Sequence, residues 1–192
     1  MILIGHYDSP FVRRVAIALR LYGMAYEHRA WSVFGQAAEI AVYNPLKRVP
    51  TLVLDDGEAL IESAAILDWL DEVAGPERAL IAGRGVERRQ ALKVCALASG
   101  LADKAVSLVY ERAIHGRETP VWAERCRAQI AGVLTALEAD RGGRPTPWWY
   151  GAKINHADIM GVGARRGRGE AHPDVFVSTR LPALAAHASP SE

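Results

Sequence analysis

The chain has 192 residues, half of them hydrophobic, and this composition argues against a disordered polypeptide. Its 23 basic side chains almost balance its 22 acidic ones, and a net charge of +1 argues against binding to nucleic acid through phosphate neutralisation. No apolar run approaches the roughly 18 residues of a membrane span, and the N-terminus lacks the basic and apolar regions of a signal peptide.

The first 77 residues alternate short apolar runs with helical patterns, which predicts the order β-α-β-α-β-β-α. The predicted elements are a strand at residues 1–5, a helix opened by Ser9-Pro10 and ended by Gly23, a strand at Tyr26–Trp31, a weak helix at Gly35–Val42, strands at Thr51–Leu54 and Ala59–Ile61, and a helix at Ser63–Ala74. Asp56-Gly57 between two apolar runs is a strong signal for a hairpin.

After a linker at residues 77–84, almost every segment has a helical pattern, so we predict a second, all-helical domain over residues 85–192. Its predicted helices are Val86–His115, a helix from Pro120 to about Asp140, one that begins after Asn155, and Pro182–His187. Asn155 and Asp158 have the spacing of a capping box, in which each residue bonds to the backbone of the other.

The residues after this cap are poor helix formers. Four glycines and three arginines fall within residues 161–169, and each glycine costs about 1 kcal/mol relative to alanine in a helix. We therefore expect irregular or poorly ordered structure from about Met160 onwards.

The two cysteines, Cys95 and Cys126, form no CxxC pair, and no Cys/His cluster has the spacing of a zinc site. We expect both to be reduced and buried in a cytoplasmic protein that holds no metal.

Ser9 is the first residue that could carry chemistry. A hydroxyl at a helix N-terminus lies in a positive field that suits an anion, including a thiolate. The alternative is that Ser9 only caps its helix.

The segment from Asn44 to Thr51 is the second candidate. A cis peptide bond between Val49 and Pro50 would turn the Val49 backbone outward, where its N–H and C=O could pair with a peptide-like ligand. The alternative is an ordinary trans proline at the start of a strand.

Glu62 and Ser63 form the third candidate. Free N–H groups at the start of the following helix could bind a carboxylate, with the Ser63 hydroxyl as an added donor and Glu62 holding an ammonium group. The alternative is again a helix cap. Together, the three segments would suit a small zwitterionic peptide that bears a thiol.

In these segments the chain resembles the cytosolic glutathione S-transferases, in particular the bacterial kind with serine in the N-terminal motif. The resemblance covers about residues 1–160, and the motifs that carry it are Ser9-Pro10-Phe11 with Arg13-Arg14-Val15, Asn44-Pro45, Arg48-Val49-Pro50, Glu62-Ser63 with Ala65-Ile66, and the cap from Asn155 to Asp158. It implies a thioredoxin-like domain over residues 1–77, an all-helical second domain, a cis Val49-Pro50 bond and a homodimer.

The resemblance also implies which residues bind glutathione. Ser9 would donate its hydroxyl to the sulfur, Val49 would pair with the cysteinyl backbone, and Glu62 and Ser63 would hold the γ-glutamyl group. Arg48 would approach the glycyl carboxylate, although a solvated loop charge is an equal alternative.

The implied reaction is attack of the thiolate on a small hydrophobic electrophile in detoxification, with glutathione as co-substrate and no other cofactor. Tyr7, Tyr110 and Ile114 are candidates for the wall of the electrophile pocket, and for Tyr110 and Ile114 the alternative is packing inside the helical domain. Tyr7 is a competing hydroxyl, but we prefer Ser9 because it directly precedes the helix. A glutathione-dependent isomerase or dehalogenase and a non-catalytic binding protein remain as alternatives.

Overall fold

The computed structural model describes residues 1–160 and 181–188, and the chain divides into two compact units, Met1–Gly83 and Arg84–Glu192. The expectation of irregular structure at residues 161–169 lies outside the described residues. Within those two ranges, no helix is both long and apolar enough to cross a membrane.

The first unit is a four-stranded sheet with three helices. Its elements are β1 (Ile2–Ile4), α1 (Pro10–Tyr22), β2 (Glu27–Arg29), α2 (Ala37–Ala41), β3 (Thr51–Val53), β4 (Ala59–Ile61) and α3 (Ser63–Ala74). The strand order is β2-β1-β3-β4, with β2 parallel to β1 and the other two pairings antiparallel. The predicted order of elements and the thioredoxin-like arrangement are confirmed.

Strand β2 is shorter than predicted. Only Glu27–Arg29 pairs with β1, opposite Ile2–Ile4. The N–H of Trp31 donates to the carbonyl of Arg29 at 2.8 Å, and this tight turn takes the chain out of the sheet.

Successive residues of β1 point to opposite faces of the sheet, as the pleat requires. Leu3 packs with its strand partner Leu52 among residues of α1 and α3, and Ile4 packs on the other face with Ile40 of α2. The sheet is therefore covered on both faces, and its loops bring the helix starts to its edge.

Helix α1 begins as its sequence predicts. The Ser9 Oγ accepts a long hydrogen bond of 3.4 Å from the Val12 N–H, Pro10 occupies the first helical position, and Gly23 follows the last. The capping role of Ser9 is therefore real, although a cap uses the oxygen of the hydroxyl and leaves its proton available.

Gly5 occupies a position that no other residue could fill without strain. Its φ is +129°, and an added Cβ would lie 2.6 Å from Val12 Cγ2 and 2.8 Å from Val49 Cβ. Its N–H donates to the carbonyl of Arg29 at 2.9 Å, and its own carbonyl accepts from His28 Nε2 at 2.8 Å. The β1–α1 loop is thus pressed against both α1 and the loop before β3.

A buried network ends the first unit. The Tyr22 hydroxyl donates to Asp71 Oδ1, and the Leu80 N–H contacts both groups, at 2.9 Å and 3.0 Å. Arg78 Nη2 donates to the Tyr22 carbonyl. Burial, together with the Asp71 carboxylate, raises the pKa of Tyr22, so its hydroxyl stays a donor at neutral pH.

The second unit is helical, as predicted, with α4 (Gly85–His115), α5 (Pro120–Gly142) and α6 (Pro182–Ala188). Its core includes Leu101, Ile130 and the fully buried Trp149. Both cysteines are free thiols. Burial is confirmed for Cys126, whose pKa it raises, but the expectation was wrong for Cys95, which lies half-buried at the margin of this core.

The predicted capping box is present. Asn155 Oδ1 accepts from the Ala157 N–H at 2.9 Å, and Asp158 Oδ2 accepts from the Asn155 N–H at 2.8 Å. The other carboxylate oxygen of Asp158 accepts from the Trp149 N–H at 2.7 Å and lies 2.9 Å from His187 Nε2 of α6. One fully buried carboxylate therefore joins a helix start, a loop and α6.

We predict that Gly5→Ala lowers the free energy of unfolding by at least about 2 kcal/mol, because overpacking and a strained φ each cost about 1–3 kcal/mol. Urea denaturation measures the loss. Gly57→Ala is the matched control, since Gly57 also has a positive φ, of +94°, but nothing lies within 4 Å of its added Cβ. Equal losses in the two variants would show that the close approach at Gly5 has no energetic cost.

We predict that Asp158→Ala lowers the free energy of unfolding by about 3–5 kcal/mol, since it removes one partner of a buried pair and orphans two buried N–H groups. Asp103→Ala is the control, because that carboxylate is half-exposed and pairs with Lys104 at the surface. A loss below about 1 kcal/mol in Asp158→Ala, measured in urea, would contradict the assigned role.

Candidate functional site

A small cleft in the first unit brings together four of the predicted binding residues. Its walls are formed by Phe11, Asn44, Arg48, Val49, Pro50, Glu62 and Ser63. These residues come from the start of α1, the loop before β3 and the start of α3. Segments that are far apart in the sequence thus meet at one edge of the sheet.

Ser9 lies just outside this lining, at the N-terminus of α1. It is partly exposed, and its N–H donates to the carbonyl of His6 at 3.1 Å. Within residues 1–160 and 181–188, its hydroxyl proton has no acceptor, while its oxygen caps the helix. Ser9 can therefore cap α1 and donate a hydrogen bond to a ligand at the same time.

The Tyr7 hydroxyl pairs with a second tyrosine. It lies 3.0 Å from the Tyr26 hydroxyl, and the Tyr7 ring stacks on His28 with centroids 3.9 Å apart. Burial and the hydrogen bond to Tyr7 raise the pKa of Tyr26 to about 12, so the Tyr26 hydroxyl keeps its proton at physiological pH. Because either hydroxyl of this pair can be the donor, the contact does not separate Tyr7 from Ser9, and the preference for Ser9 rests on its place at the start of α1.

The Val49-Pro50 peptide bond is cis, as the resemblance implied, and the alternative of a trans bond is wrong. Among the described residues, the Val49 N–H and C=O take part in no hydrogen bond. Both groups are therefore available to an extended peptide backbone in the cleft.

Asn44 holds the loop that presents Val49, a role that was not predicted from the sequence. It is buried, its Nδ2 donates to the Arg48 carbonyl at 2.9 Å and to Thr51 Oγ1 at 3.3 Å, and its Oδ1 accepts from the Leu46 N–H at 3.0 Å. The sequence signal was an asparagine before a proline in a turn, because asparagine side chains bond to neighbouring backbone.

Glu62 and Ser63 begin α3 in an unusual way. Glu62 has a φ of +65°, a conformation that costs a non-glycine residue about 1–3 kcal/mol and is typical of functional sites. Its side chain makes no capping hydrogen bond, and Ser63 is the first helical residue, so the alternative in which this pair caps α3 is wrong. Neither side chain is therefore used to cap the helix.

The charges at the cleft are mixed. Arg48 Nη1 lies 3.5 Å from Glu62 Oε1, but both side chains are more than half exposed, and such an ion pair contributes little to stability. This exposure agrees with the alternative stated above, in which Arg48 is only a solvated charge on the loop. A ligand with one ammonium group and one carboxylate could bind to this pair without leaving an unmatched charge.

Arg14 is the second residue to which our sequence analysis gave no role. It is 5% exposed, and its Nη2 donates to Ser63 Oγ at 2.5 Å. The sequence signal was its position, three residues after Phe11 and four before Ala18, on the apolar face of α1.

Of the three residues predicted for the electrophile pocket, Tyr7 lies in the first unit, and Tyr110 and Ile114 lie in the second unit, on α4. Tyr110 is 38% and Ile114 57% exposed, so packing inside the helical domain does not account for either side chain. Among the residues that the structure describes, no group of three or more His, Cys, Asp or Glu side chains could hold a metal ion.

Comparison with known proteins identifies the family. Residues 3–78 match the family described as glutathione S-transferase, N-terminal domain. The chain is 38% identical over 160 residues to glutathione transferase GST 23 of Zea mays, a match that covers 82% of this chain and 68% of that protein. The chain belongs to the glutathione S-transferase family.

Other relatives differ in activity and in length. The maleylacetoacetate isomerase of Pseudomonas aeruginosa is 38% identical over 170 residues, which cover 83% of this chain and 77% of that protein. The match to the GST-like protein YibF of Escherichia coli K12 spans only 55% of that relative's length. Family membership therefore leaves the reaction of this chain open.

A solved structure of the family extends the comparison to the whole chain. The glutathione S-transferase of Methylobacterium radiotolerans, in complex with glutathione sulfonate, superposes with a TM-score of 0.89 at 29% identity. The match covers 100% of this chain and 89% of that one.

We predict that Asn44→Asp lowers the free energy of unfolding by about 1–3 kcal/mol, because it removes the buried Nδ2 donor and leaves the Arg48 carbonyl with the long bond of 3.4 Å from Thr51 Oγ1. We also expect weaker binding of glutathione by titration calorimetry, since the loop carries Val49. Asn155→Asp is the control for glutathione affinity alone, because it makes the same substitution in the other unit, away from the cleft. Unchanged glutathione affinity in Asn44→Asp would contradict this role for the loop.

Proposed function

We propose that this chain is a glutathione transferase in which Ser9 stabilises the thiolate of bound glutathione. The observation that carries the proposal is the Ser9 hydroxyl proton, which has no acceptor among the described residues and lies at the start of α1, beside a cleft lined by Val49, Glu62 and Ser63. The relative from Methylobacterium radiotolerans, which binds glutathione sulfonate, supports the choice of ligand.

The energy required is within the reach of one serine at a helix start. A free thiol has a pKa of about 8.5, and lowering it by about two units takes roughly 2.7 kcal/mol. A hydrogen bond to a charged group contributes about 1.5–3 kcal/mol, and the field of a helix N-terminus adds about 0.3–1 kcal/mol. No general base is needed, because the thiol proton leaves to solvent.

The rest of glutathione would bind along the cleft. The Val49 backbone would pair with the cysteinyl residue, Glu62 would hold the γ-glutamyl ammonium, and Ser63 with the first N–H groups of α3 would hold the γ-glutamyl carboxylate. Arg48 would approach the glycyl carboxylate. Glutathione serves as co-substrate, and we propose no other cofactor.

In the reaction, the thiolate sulfur attacks an electrophilic carbon of a small hydrophobic substrate, a C–S bond forms, and a leaving group such as halide departs. We propose Tyr110 and Ile114 as contacts of that substrate, because both side chains are exposed on α4. A homodimer, a cytoplasmic location and a role in detoxification complete the proposal, and these three parts rest on the family alone.

A glutathione-dependent isomerase is the second candidate, and the maleylacetoacetate isomerase relative supports it. The two reactions differ in the fate of glutathione, which ends in the product of a transferase and is released unchanged by an isomerase. Mass spectrometry of the products separates them.

We predict that Ser9→Ala lowers kcat/KM for conjugation of an aryl halide at least tenfold, because the sulfur loses its hydrogen-bond donor. A pH titration of the absorbance of the glutathione thiolate bound to this variant should give a thiol pKa that is higher than in the wild type and closer to the free value of about 8.5.

Two control variants make this result specific. Ser9→Thr keeps a hydroxyl and should retain most activity, and Tyr7→Phe should do so as well, since the proposal assigns the hydrogen bond to the sulfur to Ser9. If Tyr7→Phe is the inactive variant and Ser9→Ala the active one, the assignment of Ser9 is wrong.

A further inference from the structure

Arg14 is a buried cation in direct contact with the proposed binding site. A buried guanidinium is costly unless it is hydrogen-bonded, and Nη2 of Arg14 donates to Ser63 Oγ at 2.5 Å. Ser63 is itself only 2% exposed and is the first residue of α3. The guanidinium thus bonds to the one side-chain hydroxyl that lines the cleft at this helix start.

This contact fixes what the Ser63 hydroxyl can do. A hydroxyl has one donor and two acceptor positions, whereas a guanidinium has donors only. Because Arg14 donates, the Ser63 oxygen acts as acceptor towards the protein. The Ser63 proton has no acceptor within residues 1–160 and 181–188, so the hydroxyl is left as a donor to a ligand.

Two further features indicate that the ligand group is an anion. A hydroxyl that accepts a bond from a cation is polarised and becomes a better donor, and donors of this kind favour charged acceptors. The N–H groups of the first turn of α3 add a positive field at the same point. Phe11, which also lines the cleft, has its ring 6.0 Å from the Arg14 guanidinium carbon.

We infer that Arg14 is a positioning residue that acts through Ser63, and that it sets the affinity of the site for the α-carboxylate of the γ-glutamyl group. This inference rests on the proposed function, because it takes glutathione as the ligand of the cleft. It requires no contact between Arg14 and glutathione. Its consequence is that Arg14 affects binding only when both Ser63 and the carboxylate are present.

The test is a set of glutathione dissociation constants from titration calorimetry on the full chain. Ser63→Ala and Arg14→Met should each weaken binding about tenfold, which is the range of one hydrogen bond to a charged group. The double variant should bind no more than about twofold more weakly than Ser63→Ala alone, since Arg14 acts through Ser63.

A second ligand separates positioning from a general structural role. The probe is γ-aminobutyryl-cysteinyl-glycine, which lacks the α-carboxylate of glutathione. Arg14→Met should change its affinity by less than twofold. Arg20→Met is the matched control, because Arg20 is an exposed arginine on the same helix, and it should bind both ligands as the wild type does.

Arg14→Lys keeps the inference testable if Arg14→Met fails to fold. It retains the charge and a donor, so its loss of glutathione affinity should fall between the wild type and Ser63→Ala and should vanish in the Ser63→Ala background. Losses that add in the double variant, equal losses for the two ligands, or a folded Arg14→Met with unchanged affinity overturn the inference alone. A wild-type chain that binds no glutathione overturns the proposed function as well.

Discussion

The close approach of three segments at Gly5 is the constraint on which the rest of the first unit depends. Only a residue without a side chain lets the β1–α1 loop lie against both Val12 and Val49. That contact sets the start of α1 beside the loop that carries the cis Val49-Pro50 bond. Ser9 and Val49, which are 40 positions apart in the sequence, become parts of one site because of it.

The two serines of the site are built alike. In each, the hydroxyl oxygen accepts a bond from the protein, Ser9 from a backbone N–H and Ser63 from the Arg14 guanidinium, and in neither does the proton have an acceptor in the described part of the chain. A structural role and a binding role are therefore not alternatives for Ser9, since a cap uses the lone pair and a ligand uses the proton. At Ser63 the protein contact is not a cap.

Features set by local sequence could be predicted, and features set by tertiary contacts could not. Ser9-Pro10 and the capping box at Asn155 act within one helical turn, and both are present as predicted. The end of β2 and the pairing of Tyr7 with Tyr26 depend on how segments meet, which no local pattern contains. The cis bond at Val49 followed only from the family resemblance, since a proline at a strand start fits both isomers.

The network around Tyr22 has a practical consequence for how the first unit can be studied alone. The Leu80 N–H donates to both Asp71 and the Tyr22 hydroxyl, and Arg78 donates to the Tyr22 carbonyl. A fragment that stops at residue 77, the limit of the sheet-and-helix pattern, would leave these buried groups facing water or each other. A fragment that includes Leu80 keeps these bonds, so the folding unit extends at least three residues beyond residue 77.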